Sequence, residues 1–323
     1  MKNSNIERRL EGNFMGSHIL AIGGTLLDAK GYPQAGLEPG SSNPAIIRYS
    51  LGGTARNVAE NLARLGAEVL LITAVGDDTT GQHLMEQTGI SGVNLDYALT
   101  VPGANSGAYM ALLDSNGGLS VALDDAHVMK VITPAYLNGL RRLFRDADMI
   151  MVDGSLTESA LKTAVRLAGK YDVPLCADPS SARLAHKLRP YLSHLHLVVP
   201  NEVEEARLLD VDFAGYSPDT SLAQARRLVN MGVDHVVITL SDFGLDYATS
   251  SETGYIPPSY SKHVDSTGTG DAVTAAVMFG MLNDLPTLEC MRLGAAAASL
   301  TLQCPESVVP DLSLDMLYDH LIV

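Results

Sequence analysis

The amino-acid sequence predicts an α/β fold with a mostly parallel central sheet, helices on both faces of that sheet, and a small separate β-sheet. Three observations support this prediction. Short, continuous apolar runs recur along the chain, as in strands that are buried on both faces. Runs with helical spacing of apolar residues lie between them, and this alternation is typical of parallel sheets. Two further stretches break the alternation, and one of them reads as a β-hairpin.

The elements of the central layer follow from these runs. Helices are predicted at 157–171 and 221–231, where apolar residues recur three and four positions apart, and in the Ala-rich runs 272–282 and 293–302. Within 51–66, apolar residues repeat with helical spacing, and Gly66 follows as a C-terminal cap. The predicted strands are 19–23, 69–75, 150–153, 175–178, 197–199 and 236–240.

A small sheet is predicted apart from the central one. Residues 109–113 and 119–123 are apolar, and the Asp-Ser-Asn-Gly-Gly sequence between them favours a hairpin turn. Residues 32–49 are rich in Pro, Gly and Ser and do not fit the strand–helix alternation. We therefore predict lid strands within about 31–50 and 100–125, attached to one domain that covers 17–323.

The composition excludes several classes of function. The chain has 323 residues, 46% of them hydrophobic, and a formal net charge of −15, which disfavours a nucleic-acid partner. Its three cysteines are widely spaced and odd in number, and no Cys-x-x-Cys occurs, so the sequence suggests neither a zinc site nor a disulfide framework. Residues 1–16 are polar, so we expect a flexible extension rather than a secretory signal. The apolar run 293–302 is too short to span a bilayer, and we expect a cytoplasmic protein without a membrane partner.

The segment 264–271, which reads Val-Asp-Ser-Thr-Gly-Thr-Gly-Asp, has the clearest chemical meaning. Gly268, Thr269 and Gly270 can form a tight turn whose N–H groups converge, and the helix that follows adds the positive end of its dipole. Such a turn suits a phosphate. We expect the dipole to keep Asp271 ionised, so that it can accept a proton from a hydroxyl. The alternative is an ordinary Gly turn in which Asp271 is only a helix cap.

A second Gly-rich segment, far upstream, carries groups suited to a sugar. Gly52 and Gly53 allow the backbone to approach a ligand closely, and Asn57 near the start of the next helix can donate and accept hydrogen bonds. Asp28 comes shortly after strand 19–23, where open α/β sheets place ligand groups. Alone, Asp28 reads as a loop carboxylate and Asn57 as a helix cap. Together with Asp271 they predict phosphoryl transfer to an alcohol.

These motifs, in this order, resemble those of the ribokinase family, also called the PfkB carbohydrate kinases. The family's Gly-Gly pair followed by Asn and Ala matches 52–59, and its closing Asp-Thr-x-Gly-Ala-Gly-Asp motif matches 265–271. Ser266 and Thr269 are mild departures, because the turn needs only small residues. The resemblance covers nearly the whole chain after about residue 17. It implies a ribokinase-like three-layer sandwich with a β-lid, and an ATP-dependent kinase with Asp271 as general base.

The resemblance also implies a nucleotide site and a metal site. The family's Asn-x-x-Glu motif appears as Asn201 and Glu204. Because residues three apart share a helix face, this pair is expected to act together on the water shell of Mg²⁺ and phosphate. Thr239 and Gly244 match the ends of a nucleotide-binding segment in which Ser241 replaces the first Gly.

A second ion is a candidate from the same resemblance. In many family members a monovalent cation lies beside the anion hole. Asp265 and Thr267 match part of that site through the closing motif, so K⁺ is a candidate activator.

Within the family, residues 42–44, Arg56 and the segments 101–103 and 132–137 resemble those of the pseudouridine kinase subgroup. Ala108, Ala126 and Arg183 depart from that subgroup. A C-linked uracil exposes an extra ring N–H, and Asp125 is the candidate acceptor for it. The implied acceptor-binding residues are Asp28, Asn43, Gly52, Gly53, Arg56, Asn57, Tyr109 and Asp125.

Three functions stay open at this point. The first is ATP-dependent phosphorylation of the 5′-hydroxyl of pseudouridine, and the second is a kinase of the same fold for a free sugar or another nucleoside. The third is a catalytically silent binding or regulatory homologue, against which the intact Asp271 and its Gly turn argue. The expected partners are the acceptor and ATP, and a homodimer formed through the lid is a candidate assembly.

Overall fold

A computed structural model describes residues 18–114, 118–240, 244–258 and 264–321. The predicted extension 1–16 and Ser241 lie outside the described residues. The strands are β1 His18–Ile22, β2 Leu26–Pro33, β3 Ala45–Gly52, β4 Glu68–Ile72, β5 Ala74–Gly76, β6 Leu99–Val101, β7 Gly107–Leu113, β8 Leu119–Asp125, β9 Met149–Asp153, β10 Leu175–Asp178, β11 Leu197–Val198, β12 His235–Thr239, β13 Leu245–Thr249 and β14 Thr253–Ile256. The helices are α1 Thr54–Arg64, α2 Thr79–Ile90, α3 Pro134–Gly139, α4 Arg141–Asp146, α5 Glu158–Tyr171, α6 Glu202–Leu209, α7 Pro218–Asn230, α8 Thr269–Leu282, α9 Thr287–Leu302 and α10 Leu314–Asp319.

The central sheet has eight strands in the order β14-β13-β12-β11-β10-β9-β1-β4. The strands from β12 to β4 run parallel, whereas β13 and β14 form an antiparallel edge. Each predicted strand of this layer overlaps an observed one, although 69–75 also extends into β5. Because the parallel strands are buried on both faces, their sequences are continuous apolar runs, and the strands could be predicted from these runs.

Two apolar cores lie on the two faces of this sheet. Along β1, Leu20 and Ile22 belong to one core, and Ile19 and Ala21 belong to the other, as the alternation of a strand requires. Helix α5 packs on the first face, whereas α1, α8 and α9 pack on the second. The three-layer α/β sandwich is therefore confirmed. No helix in the described part of the chain is long and apolar enough to cross a membrane.

Helix α5 shows how local residues set the ends of a helix. The Thr157 hydroxyl accepts a hydrogen bond from the Ala160 N–H at 3.2 Å and starts α5, and Asp172 ends it with a φ of 55°. Helices α8 and α9 approach closely because small residues lie between them. A Cβ atom at Gly280 would lie 2.8 Å from the Cys290 sulfur.

A second, four-stranded sheet, which we call the lid sheet, has the order β3-β2-β7-β8. Strands β7 and β8 form the predicted antiparallel hairpin, and β2 runs parallel to β7 and antiparallel to β3. We name its two sides after Asp28: the inner face carries Asp28, and the outer face carries Ala29 and its cross-strand partners.

Two predictions of local structure were wrong. Residues 69–75 are not one strand, because Thr73 interrupts them, and β4 and β5 join different sheets. Asp28 is not a loop residue, because it lies inside β2. The sequence of β2 mixes charged, Gly and Pro residues with apolar ones, which hid the strand.

Candidate active site

The Gly turn at 268–270 opens helix α8 as predicted. Gly268 has a φ of +80°, and a Cβ atom there would lie 1.9 Å from the Ser307 carbonyl oxygen, so both the conformation and the space require glycine. The N–H groups of Gly270 and Asp271 lie in the first helical turn, where no intrahelical carbonyl can accept from them. The Thr269 hydroxyl oxygen is buried and has no partner among the described residues. These donors fit a bound anion.

Asp271 is joined to the second Gly-rich segment by a direct contact. The Asn57 amide nitrogen donates to Asp271 Oδ2 at 2.6 Å, and Asn57 is 2% exposed. The Arg56 guanidinium in turn donates to Asn57 Oδ1 at 2.8 Å, which fixes the amide with its nitrogen toward Asp271. The two motifs, 214 residues apart in sequence, therefore form one site.

The expectation that the helix dipole keeps Asp271 ionised left out the effect of burial. Burial raises the pKa of Asp271 to about 7, and the hydrogen bond from Asn57 offsets this only in part. Nearby carboxylates, including Asp28 and Asp153, add to the rise. A carboxyl group with a pKa near neutrality is well suited to accept a proton from a hydroxyl and to return it.

Asp28 lies on the inner face of the lid sheet and is 4% exposed. Its carboxylate packs on Gly52, where a Cβ atom would lie 2.1 Å from Oδ1. Burial raises the pKa of Asp28 to about 6, while Lys30 and Arg56 act in the opposite direction. Gly53 has a φ of +96°, and a Cβ there would lie 2.4 Å from the Gly24 carbonyl oxygen. The Gly pair thus brings α1 against both Asp28 and the end of β1.

Asp153, at the carboxyl end of β9, is a site residue that the sequence analysis missed. It is 1% exposed and accepts hydrogen bonds from the N–H groups of Gly24 at 2.8 Å and Ala55 at 3.0 Å. A Cβ atom at Gly23 would lie 2.2 Å from its carboxyl carbon. Asp153 therefore fixes the end of β1 to the start of α1. The sequence does contain a signal that could have identified it, namely an acidic residue that ends an apolar strand directly before Gly154 and Ser155.

Asn201 and Glu204 interact, but not as two side chains on one helix face. Asn201 precedes α6 as its N-cap, and its side-chain oxygen accepts from the Glu204 N–H at 2.9 Å. Glu204 accepts from the Asn201 N–H at 2.9 Å, which completes a capping box. Glu204 is 5% exposed, and burial together with the nearby Asp178 carboxylate raises its pKa.

Asp178 adds a further carboxylate at the end of β10. It accepts hydrogen bonds from the Ser180 N–H at 2.8 Å and the Thr274 hydroxyl at 3.1 Å. Burial raises its pKa, and the charge of Asp271 adds to the effect. Asp153, Asp178 and Asp271 thus form a crowded group of carboxylates at one edge of the central sheet.

The nucleotide-binding residues implied by the resemblance are only partly described. Thr239 ends β12, and its N–H donates to the Pro200 carbonyl at 3.0 Å, which places it beside Asn201. Gly244 has a φ of +89°, and a Cβ there would lie 2.1 Å from the Ile256 carbonyl oxygen. Gly244 therefore shapes the backbone at the start of β13.

The inner face of the lid sheet presents one row of polar side chains. Strand pairing aligns Ser50, Asp28, Tyr109 and Asp124 across β3, β2, β7 and β8. Partners in directly opposed positions point to the same face of a sheet. Asp125 is therefore on the outer face. It is exposed and accepts hydrogen bonds from the His127 N–H at 3.0 Å and, at 2.6 Å, from its ring. Asp125, the expected reader of the acceptor, therefore does not share a face with Asp28.

Two other expected acceptor residues have structural contacts. Arg56 is 2% exposed, and its guanidinium contacts Glu60, Asn57 and, at 3.3 Å, the Thr88 hydroxyl, so it orients Asn57. Asn43 accepts from the Glu38 N–H at 2.7 Å and donates to the Glu38 carbonyl at 3.1 Å. These bonds fold its own exposed loop, and no contact among the described residues joins Asn43 to Asp28 or Asp271.

The expected K⁺ site does not fit a cation. Asp265 already accepts a hydrogen bond from the Lys30 ammonium at 2.7 Å, and its other oxygen accepts from the Thr267 N–H at 2.9 Å. Within the described ranges, no group of three or more His, Cys, Asp or Glu side chains could hold a metal ion by itself. The sequence did not indicate Lys30, because its partner lies 235 residues away.

Comparison with known proteins places this geometry in a family. The model of the "pfkB family carbohydrate kinase" matches residues 17–312. Pseudouridine kinase of Escherichia coli (strain K12) is 33% identical over 298 residues, which cover 92% of this chain and 94% of that protein. Guanosine-inosine kinase of Exiguobacterium acetylicum is 28% identical over 297 residues, covering 91% of this chain and 97% of that protein.

A solved structure shows the same fold. Ribokinase of Arabidopsis thaliana, complexed with ribose and ATP, superposes with a TM-score of 0.80 over 94% of this chain and 98% of its own, at 23% identity. The chain spans almost the full length of these relatives, and the matched region contains both Gly-rich motifs. The protein is thus a sugar or nucleoside kinase, and it belongs to the pfkB family of carbohydrate kinases.

Proposed function

We propose that this enzyme transfers the γ-phosphoryl group of ATP to the 5′-hydroxyl of pseudouridine, giving pseudouridine 5′-phosphate and ADP. The observation that carries the chemistry is Asp271, held by Asn57 at 2.6 Å and placed directly after the Gly turn. The same geometry argues against a catalytically silent homologue, because the base and the anion-binding turn are both intact.

The proposed roles follow from the contacts. Asp271 accepts the proton of the acceptor hydroxyl, whose oxygen then bonds to the γ-phosphorus as the bond to the β-phosphate bridging oxygen breaks. Gly268 and Gly270 supply N–H donors, and Thr269 a hydroxyl, to the charge that develops on the transferred group. Asp28 accepts hydrogen bonds from ribose hydroxyls, with Asn57 beside it.

Mg²⁺ is proposed as the companion of ATP. Its oxygen ligands would be phosphate groups and waters, with Glu204 and Asn201 holding part of that shell. Burial raises the pKa values of both Glu204 and Asp178, and a nearby carboxylate adds to each rise: Asp178 at Glu204, and Asp271 at Asp178. These shifts fit the arrangement, because a divalent cation relieves the repulsion. Bound there, Mg²⁺ would offset the negative charge of the phosphates. Thr239 and Gly244 remain proposed neighbours of the nucleotide.

Recognition of the base is proposed for Asp124 rather than Asp125. Asp124 is paired with Tyr109, and Tyr109 with Asp28, so all three lie on the inner face of the lid sheet. Loss of solvent and the charge of Asp153 raise the pKa of Asp124. A carboxylate acceptor beside the ribose site fits a nucleoside that carries an extra ring N–H, as pseudouridine does.

A homodimer through the lid is proposed for the assembly. The outer face presents Ile47 (58% exposed), Tyr49 (65%), Met110 (57%), Val121 (51%) and Leu123 (66%) as one apolar patch. Strand pairing aligns Tyr49, Met110 and Leu123 through Ala29, so the patch is continuous. A second copy of the chain offers a self-complementary partner for such a patch.

The test of the substrate is competition between acceptors. Purified enzyme with ATP and Mg²⁺ is given pseudouridine against uridine, guanosine, ribose or fructose, and kcat/KM is compared. We expect pseudouridine to be preferred, because an unpaired polar group in the site rejects analogues that lack its partner. Preference for a purine nucleoside would favour the function of the guanosine-inosine kinase relative, and preference for ribose that of the ribokinases. Absence of phosphorylation on every acceptor would contradict the kinase site itself.

A further inference from the structure

Lys30 forms a buried ion pair that the proposed chemistry does not use. Its ammonium donates to Asp265 Oδ2 at 2.7 Å, and the two side chains are 6% and 11% exposed. The Tyr32 hydroxyl donates to the same oxygen at 3.2 Å. The second oxygen of Asp265 accepts from the Thr267 N–H at 2.9 Å. Both oxygens of the carboxylate are therefore engaged by donors of this chain.

The negative charge of Asp265 is compensated by groups in direct contact with it. Burial by itself would raise the pKa of Asp265, but the Lys30 ammonium and the Thr267 N–H outweigh it and hold the pKa below its usual range. Asp265 is thus a carboxylate, and Lys30 is the cation that compensates it. A buried carboxylate without such a partner would be strongly unfavourable.

The pair lies directly before the anion-binding turn. Asp265 orients Thr267, the Thr269 N–H donates to the Ser266 carbonyl at 3.3 Å, and Gly268 follows as the N-cap of α8. Any cation at Asp265 therefore helps to set the backbone that leads into the turn. Lys30 reaches this position from β2, two residues after Asp28 and on the same inner face.

We propose that the Lys30 ammonium takes the place of a monovalent cation at Asp265, so that this kinase holds its anion-binding turn without K⁺. An ammonium has the charge of K⁺ and, like it, binds oxygen atoms, here through N–H donors. A K⁺ ion beside Asp265 would meet a like charge and a carboxylate whose oxygens are already occupied. Lys30 is thus a positioning residue. The catalytic part of this inference rests on the proposed function, whereas the cation replacement does not.

The consequence is a coupling between two parts of the site. Strand β2 carries the proposed acceptor residue Asp28 and, through Lys30, the support of the loop before Gly268. Tyr32 adds a second bond from the same strand. Acceptor site and anion-binding turn are therefore held at a fixed distance by one strand of the lid sheet.

The experiment compares the wild-type chain with Lys30→Met, Lys30→Arg and the control Lys162→Met, an exposed lysine on α5. Thermal unfolding and turnover are measured in KCl, NaCl and tetramethylammonium chloride at equal ionic strength. We expect the wild type and the control to give the same midpoint and turnover in all three salts. Lys30→Met should lose turnover by about ten- to a hundredfold in tetramethylammonium, because the turn is misplaced, and recover part of it in KCl.

The unfolding data keep the test independent of activity. In Lys30→Met, K⁺ should raise the unfolding midpoint relative to tetramethylammonium, because it fills the vacated position. Lys30→Arg should behave like the wild type. Activation or stabilisation of the wild type by K⁺ would overturn the proposal, and so would a Lys30→Met variant that is indifferent to K⁺ in both measurements. If no acceptor is phosphorylated, the proposed function fails, while the midpoints still decide the cation question.

Discussion

The two faces of the lid sheet differ in the polarity of their side chains. The inner face carries Ser50, Asp28, Tyr109 and Asp124 in one row, whereas the outer face carries Tyr49, Met110 and Leu123 in the next. Both rows come from the same four strands, offset by one residue. The alternation of a strand thus lets one sheet present polar side chains on one side and an exposed apolar surface on the other.

The largest expected effect is a loss of turnover on substitution of Asp271, the proposed base. Asp271→Asn should lower turnover by about 10²–10⁴, the usual share of a general base, while the fold and nucleotide binding persist. Steady-state kinetics, ADP titration and thermal unfolding would check this. Asp219→Asn, at an exposed acid of α7, is the control. Turnover close to that of the control would remove Asp271 from the role of base.

The next effect is at Asp28, within the inner face. Asp28→Ala should raise the KM for the acceptor about tenfold or more, since hydrogen bonds to a charged group contribute about 1.5–3 kcal/mol. The KM for ATP should stay nearly unchanged, which initial-rate kinetics with each substrate varied in turn would show. An effect confined to ATP would mean that the acceptor and nucleotide ends have been assigned the wrong way round.

The rate should also depend on pH through Asp271. A base must be deprotonated to act, and the pKa of Asp271 is raised to about 7 by burial. We expect kcat/KM for the acceptor to fall on acidification, by about tenfold for each pH unit below that value. The inflection should vanish in Asp271→Asn. A profile that stays flat from pH 8 down to pH 5 would contradict the assignment.

The sharpest test of the two faces uses neighbouring residues. Asp124→Asn should lower the preference for pseudouridine over uridine by about fivefold, because a neutral acceptor binds an N–H about 1 kcal/mol more weakly than a charged one. Asp125→Asn, on the outer face, should leave the preference unchanged. Competition assays on both variants decide the matter. Equal effects at the two positions would show that the strand register does not govern recognition.

The smallest expected effect on the rate belongs to the outer face. Leu123→Lys should abolish the proposed dimer, because a charge enters the apolar patch, while turnover changes little. Light scattering with kinetics on the same sample would measure both. Leu288→Lys, at a leucine that is 41% exposed on α9, is the matched control. A wild-type chain that is already monomeric at high concentration would refute the dimer.

Much of the central sheet could be predicted from the sequence, because its strands and helices have local sequence patterns. Continuous apolar runs predicted β9 and β10 within a residue, and the Gly turn with Asp271 predicted the start of α8. The sequence assigned Asn57 and Asp271 to one site, but it did not predict their hydrogen bond. A contact across 214 residues has no sequence signal of its own.

The errors have physical causes. Asp125 was chosen from the family resemblance, and the face on which it lies depends on strand register, which a single sequence does not fix. The pKa of Asp271 was misjudged because burial and neighbouring carboxylates are properties of the assembled site. Asp153 and Lys30 were missed because each acts through partners far away in the chain.

The spacing of Asp28 and Lys30 on β2 limits where this protein can tolerate insertions and deletions. Inserting or deleting one residue between 28 and 32 would turn the side chains beyond it to the opposite face. Asp28 and Lys30 would then no longer share a side, and a single event would damage both the acceptor site and the support of the turn. The exposed loop between β2 and β3, which Asn43 folds on itself, faces no such constraint. Length changes among relatives should therefore accumulate in that loop and be absent from the strand before it.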